Sequence, residues 1–311
     1  MKILVTGGTG YLGGAVVRAL ARRGHDPIVF ARHATSVPSD TLPGARVDGD
    51  VRDRAAVLSA ARGVDAVCHT AASVHVWQKD PADFDRVNVG GLETVLDVCA
   101  TQGTSRLVYT SSFLALPPQG HRRPIEANDY QRSKVRAREV ARTAVRRGLP
   151  IVTLVPGVIY GPGAETEGNL VGRLVRNHLA GCLPGIVGAE RIWSFAYIQD
   201  VANAHVTALE SAVKADEYVV GGQNLPQLRL FELLRELTGT PLPRRVPASI
   251  AWILGWIEER AARRRPPRLT RGMARILHHD WPLDSARSVD ELNYHVTPLA
   301  EGIREVLAQA L

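Results

Sequence analysis

Two residues four positions apart, Tyr130 and Lys134 in "YQRSK", hold the side chains with the most to offer chemically. On a helix, i and i+4 share a face, so a phenol and an ammonium there can act together. A carbonyl reduction needs a hydride donor, a proton donor to the forming alkoxide and a group that orients the oxygen. A free tyrosine titrates near ~10, and bringing it toward ~7 takes about 4 kcal/mol of preferential phenolate stabilisation. A close ammonium, with a second positive charge nearby, would supply this in a dry site. The plain alternative is a solvated helix face, where such neighbours are common. With seven tyrosines and four lysines in 311 residues, chance produces this spacing about 0.1 times. The setting of the pair has to decide.

"VYTSS" ends a strand-like run and leaves Ser111 and Ser112 at its C-terminal edge, with Tyr130 eighteen residues beyond Ser112. Nearer the N-terminus, "VTGGTGYLGG" contains Thr6, Gly7, Gly10, Tyr11, Leu12 and Gly13 in a T-G-x-x-G-x-x-G spacing. It follows the first strand directly and opens the first helix. That context suits a tight turn, a side-chain-free approach to a pyrophosphate and a phosphate at the positive helix end. The expectation is a nucleotide site; a purely structural turn is the alternative.

The second strand bears on which nucleotide. A carboxylate at its end would grip the ribose 2′-hydroxyl of NAD, but "VFARHATS" puts Arg32 and His33 there. Arginine suits a 2′-phosphate, so NADP(H) is expected, with NAD(H) the alternative if Arg32 is only a surface residue. "GDVRD" offers Asp50 and Val51 where the adenine would lie. "HTAAS" offers Ala71 and Ala72, small enough for a dinucleotide to lie flat.

The elements that must position these residues are legible as alternating runs. Strands are expected at 2–6, 26–31, 45–49, 65–70, 106–111 and 150–156, with helical periods near 11–23, 53–62, 83–102 and 129–147. Strands separated by helices imply right-handed crossovers and a parallel sheet covered on both faces. The expected fold class is α/β: a Rossmann-type doubly wound parallel sheet with a smaller, mixed C-terminal substrate lobe. After about residue 160 come strands in "WSFAYI" and "EYVVGG" and helices near 200–213, 229–238 and 298–310. Residues 1–160 are expected to form the dinucleotide-binding domain, with segments near 190–210 returning to it. Residues 161–311 would mainly form the substrate lobe.

Composition narrows the function classes. Hydrophobic content of 45% and 22% charged residues describe an ordinary soluble chain. Cys68, Cys99 and Cys182 form no CxxC, and no histidine cluster has ligand spacing, so neither disulfides nor a metal are expected. The start "MKILVTGG" enters a strand at once, so a cytoplasmic location is expected. The formal charge of +7 is spread over helix faces such as "VRAREVARTAVRRG" with no aromatic-interleaved stripe, which argues against nucleic acid. Residues 248–272, "ASIAWILGWIEERAARRRPPRLTRG", join an apolar block to a basic run. A helix at a membrane interface has this composition. A lid over the substrate pocket is the favoured expectation, because the apolar part is short and Glu258 and Glu259 interrupt it.

Taken in order, T-G-x-x-G-x-x-G, G-D-V, H-x-A-A, Y-T-S-S, Y-x-x-x-K and "VPGVIYGPG" resemble the extended branch of the short-chain dehydrogenase/reductase superfamily, the NAD-dependent epimerase/dehydratase family. The resemblance runs from residue 1 to about 205. It is strongest to the dihydroflavonol-reductase and 3β-hydroxysteroid-dehydrogenase-like group. It implies Ser112, in preference to Ser111, as the oxygen-orienting residue and Tyr130 as the acid/base. Lys134 would bond the nicotinamide ribose and tune Tyr130. It further implies that Asn88 positions active-site structure and that Pro156 to Val158 pass beneath the nicotinamide amide. Two helices of this branch, here 83–102 and 129–147, often pair in homodimers.

Two departures narrow the chemistry. Sugar-nucleotide epimerases of the branch usually carry an arginine where this chain has Trp193, with Arg191 two residues away. An aromatic at that wall favours an apolar, uncharged small-molecule substrate. Dehydratases tend to have Asp-Glu beside the catalytic hydroxyl, where this chain has Phe113 and Leu114. The expectation is an NADPH-dependent reductase of a ketone, or the reverse alcohol oxidation. An epimerase or dehydratase that retains its nicotinamide is the first alternative, and a non-catalytic NADP-binding protein the second.

Overall fold

The computed structural model describes residues 1–38, 40–75, 77–212, 216–262 and 266–310. Its centre is a seven-stranded sheet, built on β1 (Lys2–Thr6), β2 (Asp26–Ala31), β3 (Ala45–Asp48), β4 (Ala66–His69), β5 (Arg106–Thr110), β6 (Ile151–Pro156) and β10 (Glu217–Val220). The order is β10-β6-β5-β4-β1-β2-β3, and every pairing within it is parallel. The chain moves outward from β1 in one direction and then from β4 in the other. The reversal opens a crevice at the C-terminal ends of β1 and β4, where doubly wound sheets bind ligands.

Both faces of the sheet are covered, which is why strands such as Ile3–Val5 and Ile151–Pro156 are apolar throughout and not alternating. One face carries α1 (Tyr11–Arg22) and α7 (Ile198–Glu210), packed through Val16, Leu20, Val201 and Ala204. The other carries α2 (Arg54–Ala60), α4 (Gly91–Gln102) and α5 (Asp129–Arg146) through Val57, Val95, Ala137 and Ala141. The alanines of α5 face the sheet, and its arginines pair outward, Arg138 with Glu217 at 2.6 Å and Arg146 with Glu139 at 2.9 Å. Much of the positive charge therefore sits on solvated helix faces.

The helix expected over 83–102 is interrupted. It consists of α3 (Ala82–Asp85), a π turn at Arg86–Gly90 and α4. The π turn brings Asn88 inward, where its amide finds partners across the site, and such bulges often mark functional positions.

The second lobe is built around a small mixed sheet, β11 (Gln223–Pro226), β9 (Ile192–Tyr197) and β7 (Val158–Tyr160), with β9 parallel to β7 and antiparallel to β11. A two-stranded pair, β8 (Ile186–Val187) and β12 (Arg245–Val246), lies beside it. Around it pack α6 (Leu170–Leu179), α8 (Gln227–Thr238) and α12 (Leu299–Ala310). The chain crosses from β6 into β7 at Gly157, where a Cβ would stand 2.4 Å from the Ser194 carbonyl oxygen. The return to the main sheet extends past 190–210, because β10 adds its edge strand beside β6. The helix expected at 200–213 ends at Glu210; position 213 and Lys214 lie outside the described residues.

One expectation is corrected by α9 (Ala248–Ala261), which packs on α10 (Arg271–Leu277). A lid would turn its apolar side chains onto the pocket. Here only Ala251 and Gly255 of α9 are buried, and Trp252, Ile253, Trp256 and Ile257 are 41–52% exposed. The short helix α11 (Ala286–Leu292) packs against β10.

Candidate active site

The glycine turn is set by backbone constraint. Gly7 has φ +70°, and a Cβ there would sit 2.7 Å from the Ala71 Cα. A Cβ on Gly13 would lie 2.1 Å from the Gly7 carbonyl oxygen, so only glycine lets α1 approach the turn. The helix starts at Gly10 with no side-chain cap, which leaves its first amides, including those of Tyr11 and Leu12, to be satisfied by a ligand. The Tyr11 side chain points elsewhere, donating to the Gly161 carbonyl at 2.8 Å. Thr6 is fully buried, its hydroxyl 2.7 Å from His69 Nδ1. A cradle that a single Cβ would fill, at the positive end of a helix, fits the diphosphate of a dinucleotide.

Arg32 and His33 are exposed just past β2. Their loop is pinned where the Thr35 amide donates to Asp48 at 2.8 Å. The Thr35 hydroxyl and then its amide hold the Asp48 carboxyl below its usual range, with a smaller contribution from His33. Asp50 is held low chiefly by Arg52, whose guanidinium lies 2.6 Å away, with Arg32 acting more weakly on it. Arg32 makes no ion pair among the described residues. Val51 is buried against Gly91 and Ala71 and Ala72 are partly exposed beside Gly7. Pro156 and Val158 are buried at the β6–β7 crossing.

Ser112, Tyr130 and Lys134 converge at the end of β5. Lys134 is 3% exposed, and its ammonium lies 3.4 Å from the Thr110 carbonyl and 5.8 Å from the Tyr109 ring centroid. Burial lowers its pKa to about 8. Thr110 is itself held, its hydroxyl 2.8 Å from His205 Nε2, while His205 Nδ1 is 2.8 Å from the Val201 carbonyl. Ser112 Oγ accepts the Leu114 amide at 3.2 Å, which leaves its own proton for another acceptor. Burial raises the Tyr130 phenol to about 12, and the Ser112 hydroxyl pulls the other way. The sequence expectation of a phenol lowered by its cationic neighbour is therefore not met by the polypeptide alone. At neutral pH both the phenol and the ammonium hold their protons.

Two side chains tie this group to its surroundings. Asn88 accepts the Ser73 amide at 2.7 Å and donates to the Ser73 carbonyl at 3.1 Å and to Ser133 Oγ at 2.8 Å. It thereby fixes the loop after β4 to the first turn of α5. Gln131, fully buried, donates to the Leu114 carbonyl at 3.0 Å and accepts the Ala127 amide at 2.7 Å. It locks the Ser112 loop onto the same turn. Gln131 and His205 carry no sequence signal of their own, because their roles depend on which loops the fold brings to them.

The wall beside Tyr130 is aromatic. Phe84 packs at 6.2 Å from the Tyr130 ring, and Phe113 meets Trp281 edge-on at 5.4 Å. Trp193 is buried on β9 and bridges through its backbone to Trp281. Its indole N–H has no partner among the described residues. Trp281 arrives from more than eighty residues downstream, which no local pattern could announce. Arg191 is engaged with Asp280, N to O 3.2 Å, on the segment that carries Trp281. Among the described residues there is no cluster of three His, Cys, Asp or Glu able to hold a metal ion. No described helix is long and apolar enough to cross a membrane.

Comparison with known proteins identifies the family. The model of the NAD dependent epimerase/dehydratase family matches residues 3–221. Sterol demethylase protein B of Methylococcus capsulatus is 33% identical over 99% of this chain and 98% of its own. The 2-alkyl-3-oxoalkanoate reductase of Stenotrophomonas maltophilia is 31% identical over 100% and 99%. Among solved structures, the UDP-glucose 4-epimerase of Thermus thermophilus in complex with NAD superposes with a TM-score of 0.75, at 25% identity over 100% and 99% of the two chains. The chain belongs to the NAD dependent epimerase/dehydratase family, and it is an NAD(P)-dependent oxidoreductase-type enzyme.

Proposed function

We propose that this family member is an NADPH-dependent reductase of a fairly apolar ketone, with Ser112, Tyr130 and Lys134 as its catalytic set. The observation that carries the reading is the convergence of Ser112, Tyr130 and Lys134 at the end of β5, with the Lys134 ammonium 3.4 Å from the Thr110 carbonyl. Desolvation pushes the partly buried Tyr130 phenol up to about 12, and the buried Lys134 follows one turn along α5, so Tyr130 keeps its proton at neutral pH. That is the form ketone reduction requires, whereas alcohol oxidation would have to start from the phenolate.

The bound nicotinamide supplies the hydride. Ser112 donates its free proton to the substrate oxygen and orients it. Tyr130 passes its phenolic proton to the same oxygen as negative charge develops there. Lys134, anchored on Thr110, holds the nicotinamide ribose and supports the phenolate left behind. Uncapped amides at the start of α1 take the diphosphate, and Arg32 takes the 2′-phosphate that separates NADPH from NADH. Asp50 and Val51 would flank the adenine, Ala71 and Ala72 the diphosphate-to-ribose stretch, and Pro156 and Val158 the nicotinamide amide.

Phe113 and Trp193 line the substrate side. Their apolar character agrees with relatives named for sterols and alkyl oxoalkanoates. The residues through about 160, with their returning segments, hold the cofactor, and the later residues mainly hold the substrate. Free thiols at Cys68, Cys99 and Cys182 suit the cytoplasm.

A sugar-nucleotide epimerase is the competing activity within the family. It is disfavoured because Arg191, two residues from the position where epimerases of the branch carry their arginine, is paired with Asp280. The test is an NADPH-oxidation screen over aliphatic, aromatic and steroid-like ketones, 3-ketoacids and sugar nucleotides. Ketone-dependent NADPH loss supports the reductase. Sugar-nucleotide conversion with no net absorbance change overturns it.

A further inference from the structure

We propose that α9 seats the protein on an anionic lipid surface, lying in the plane of the interface without crossing it. The helix touches the body through a narrow stripe of small residues. A Cβ on Gly255 would stand 2.7 Å from the Arg271 amide nitrogen, and Ala251 packs with Val187 and Ala274. At 100° per residue, Ile250, Trp252, Ile253, Leu254, Trp256 and Ile257 cover an arc of about 200° opposite that stripe. All six are 41–52% exposed, whereas the other large exposed apolar residues, Met1, Leu237 and Val289, are scattered singly. A contiguous apolar face of this kind marks an interaction site.

The charges flanking the face select the partner. Arg260 lies over the Trp256 ring at 4.7 Å and Arg271 over Trp252 at 5.6 Å. Arg268 follows in the same connection. Tryptophan with arginine beside an apolar arc is the composition of helices that lie at the headgroup boundary. The two acids that break the apolar block do not break the face. Glu259 is bonded to Arg271 at 2.7 Å, and Glu258 accepts the Arg268 amide at 3.1 Å. Both project near the buried stripe. A second copy suits this surface poorly, since two-fold pairing would oppose two arginine clusters. The face also borders a cavity of about 460 Å³ lined by Trp252, Arg271 and Ala127, three residues before Tyr130.

Flotation of the full chain with phosphatidylcholine vesicles, with and without phosphatidylglycerol, tests the proposal independently of turnover. The protein is expected to float with the mixed vesicles at low salt, to be partly released by high salt, and to show a blue shift of tryptophan emission. An Ile253→Ser/Ile257→Ser variant, altered only at exposed positions, is expected to lose vesicle partitioning about tenfold or more. Three results would overturn the proposal. Wild type could stay in the soluble fraction with mixed vesicles at low salt. The variant could float as well as wild type. Sedimentation could reveal a dimer that the variant dissociates, which would assign the face to a second copy. The emission shift of the wild type decides the matter even if the variant is unstable.

Discussion

The rings of His69 and Tyr109 lie stacked, with centroids 5.8 Å and planes 24° apart. This pair joins the two halves of the site. His69 is bonded to Thr6 at the glycine turn, and Tyr109 presents its ring to the Lys134 ammonium at 5.8 Å. Burial, with Lys134 adding to it, lowers the His69 pKa to about 3, so no second cation competes with Lys134 beneath the site. The diphosphate cradle at the turn and Tyr130 on α5 are thus referenced to one buried frame.

Lys134 should make stability depend on pH. Burial lowers its folded pKa to about 8 from an unfolded value of 10.5. Below about 8 the folded state bears the whole cost of a buried ammonium, at most ~3 kcal/mol from ~1.4 kcal/mol per unit. Between about 8 and 10.5 the unfolded chain binds the extra proton, so this contribution to stability rises with pH. Nucleotide-free Lys134→Met is therefore expected to melt higher than wild type at pH 7, with the gap closing toward pH 10. Thermal unfolding across that range checks it, and the same variant should be nearly inactive.

Arg32→Asp should move cofactor preference. Loss of a charge-assisted contact to the 2′-phosphate costs about 1.5–3 kcal/mol, which is roughly 10–100-fold in kcat/KM for NADPH. The new carboxylate should at the same time improve use of NADH. An unchanged NADPH/NADH ratio would remove Arg32 from the cofactor site.

The placement of Tyr130 and Lys134 on one helix and the glycine turn were legible because each is local. Both lie within one turn or one helix, where sequence separation and spatial separation coincide. The doubly wound class followed from the alternation of runs, since right-handed crossovers leave few topologies, but the seventh strand, β10, was expected in the smaller lobe and instead joins the main sheet beside β6. The π turn at Arg86–Gly90 was hidden, because it depends on Asn88 finding Ser73 and Ser133 across the site. The outward face of α9 was hidden for a related reason. Composition cannot say which side of a Trp-rich helix meets the body, and here Ala251 and Gly255 decide it.

Asn88→Ala tests that clamp as a positioning device. It leaves the buried Ser73 amide without its acceptor and is expected to cost about 2–4 kcal/mol in urea unfolding. Turnover should fall more than nucleotide affinity does, because the loop it fixes faces α5 and Tyr130. Asn88→Asp, which keeps the acceptor for the Ser73 amide, should recover part of kcat. A loss of stability with kcat unchanged would make the role purely structural.

Trp193 and Phe113 should govern substrate size. Trp193→Ala is expected to raise KM for bulky apolar ketones by about tenfold, from lost apolar contact of roughly 1–3 kcal/mol, with little change for small ones. Steady-state kinetics on a graded ketone series measures this. Equal effects on all sizes would place the indole outside the substrate wall.

The most direct measurement compares wild type with Tyr130→Phe in the presence of NADPH and a responsive ketone, following cofactor loss and alcohol formation together. Wild type should consume one NADPH per alcohol formed. The variant, still binding NADPH, should be slower by a factor on the order of 10²–10⁴. Product formed without NADPH loss, or a variant as fast as wild type, would contradict the assignment of that phenol as the proton donor.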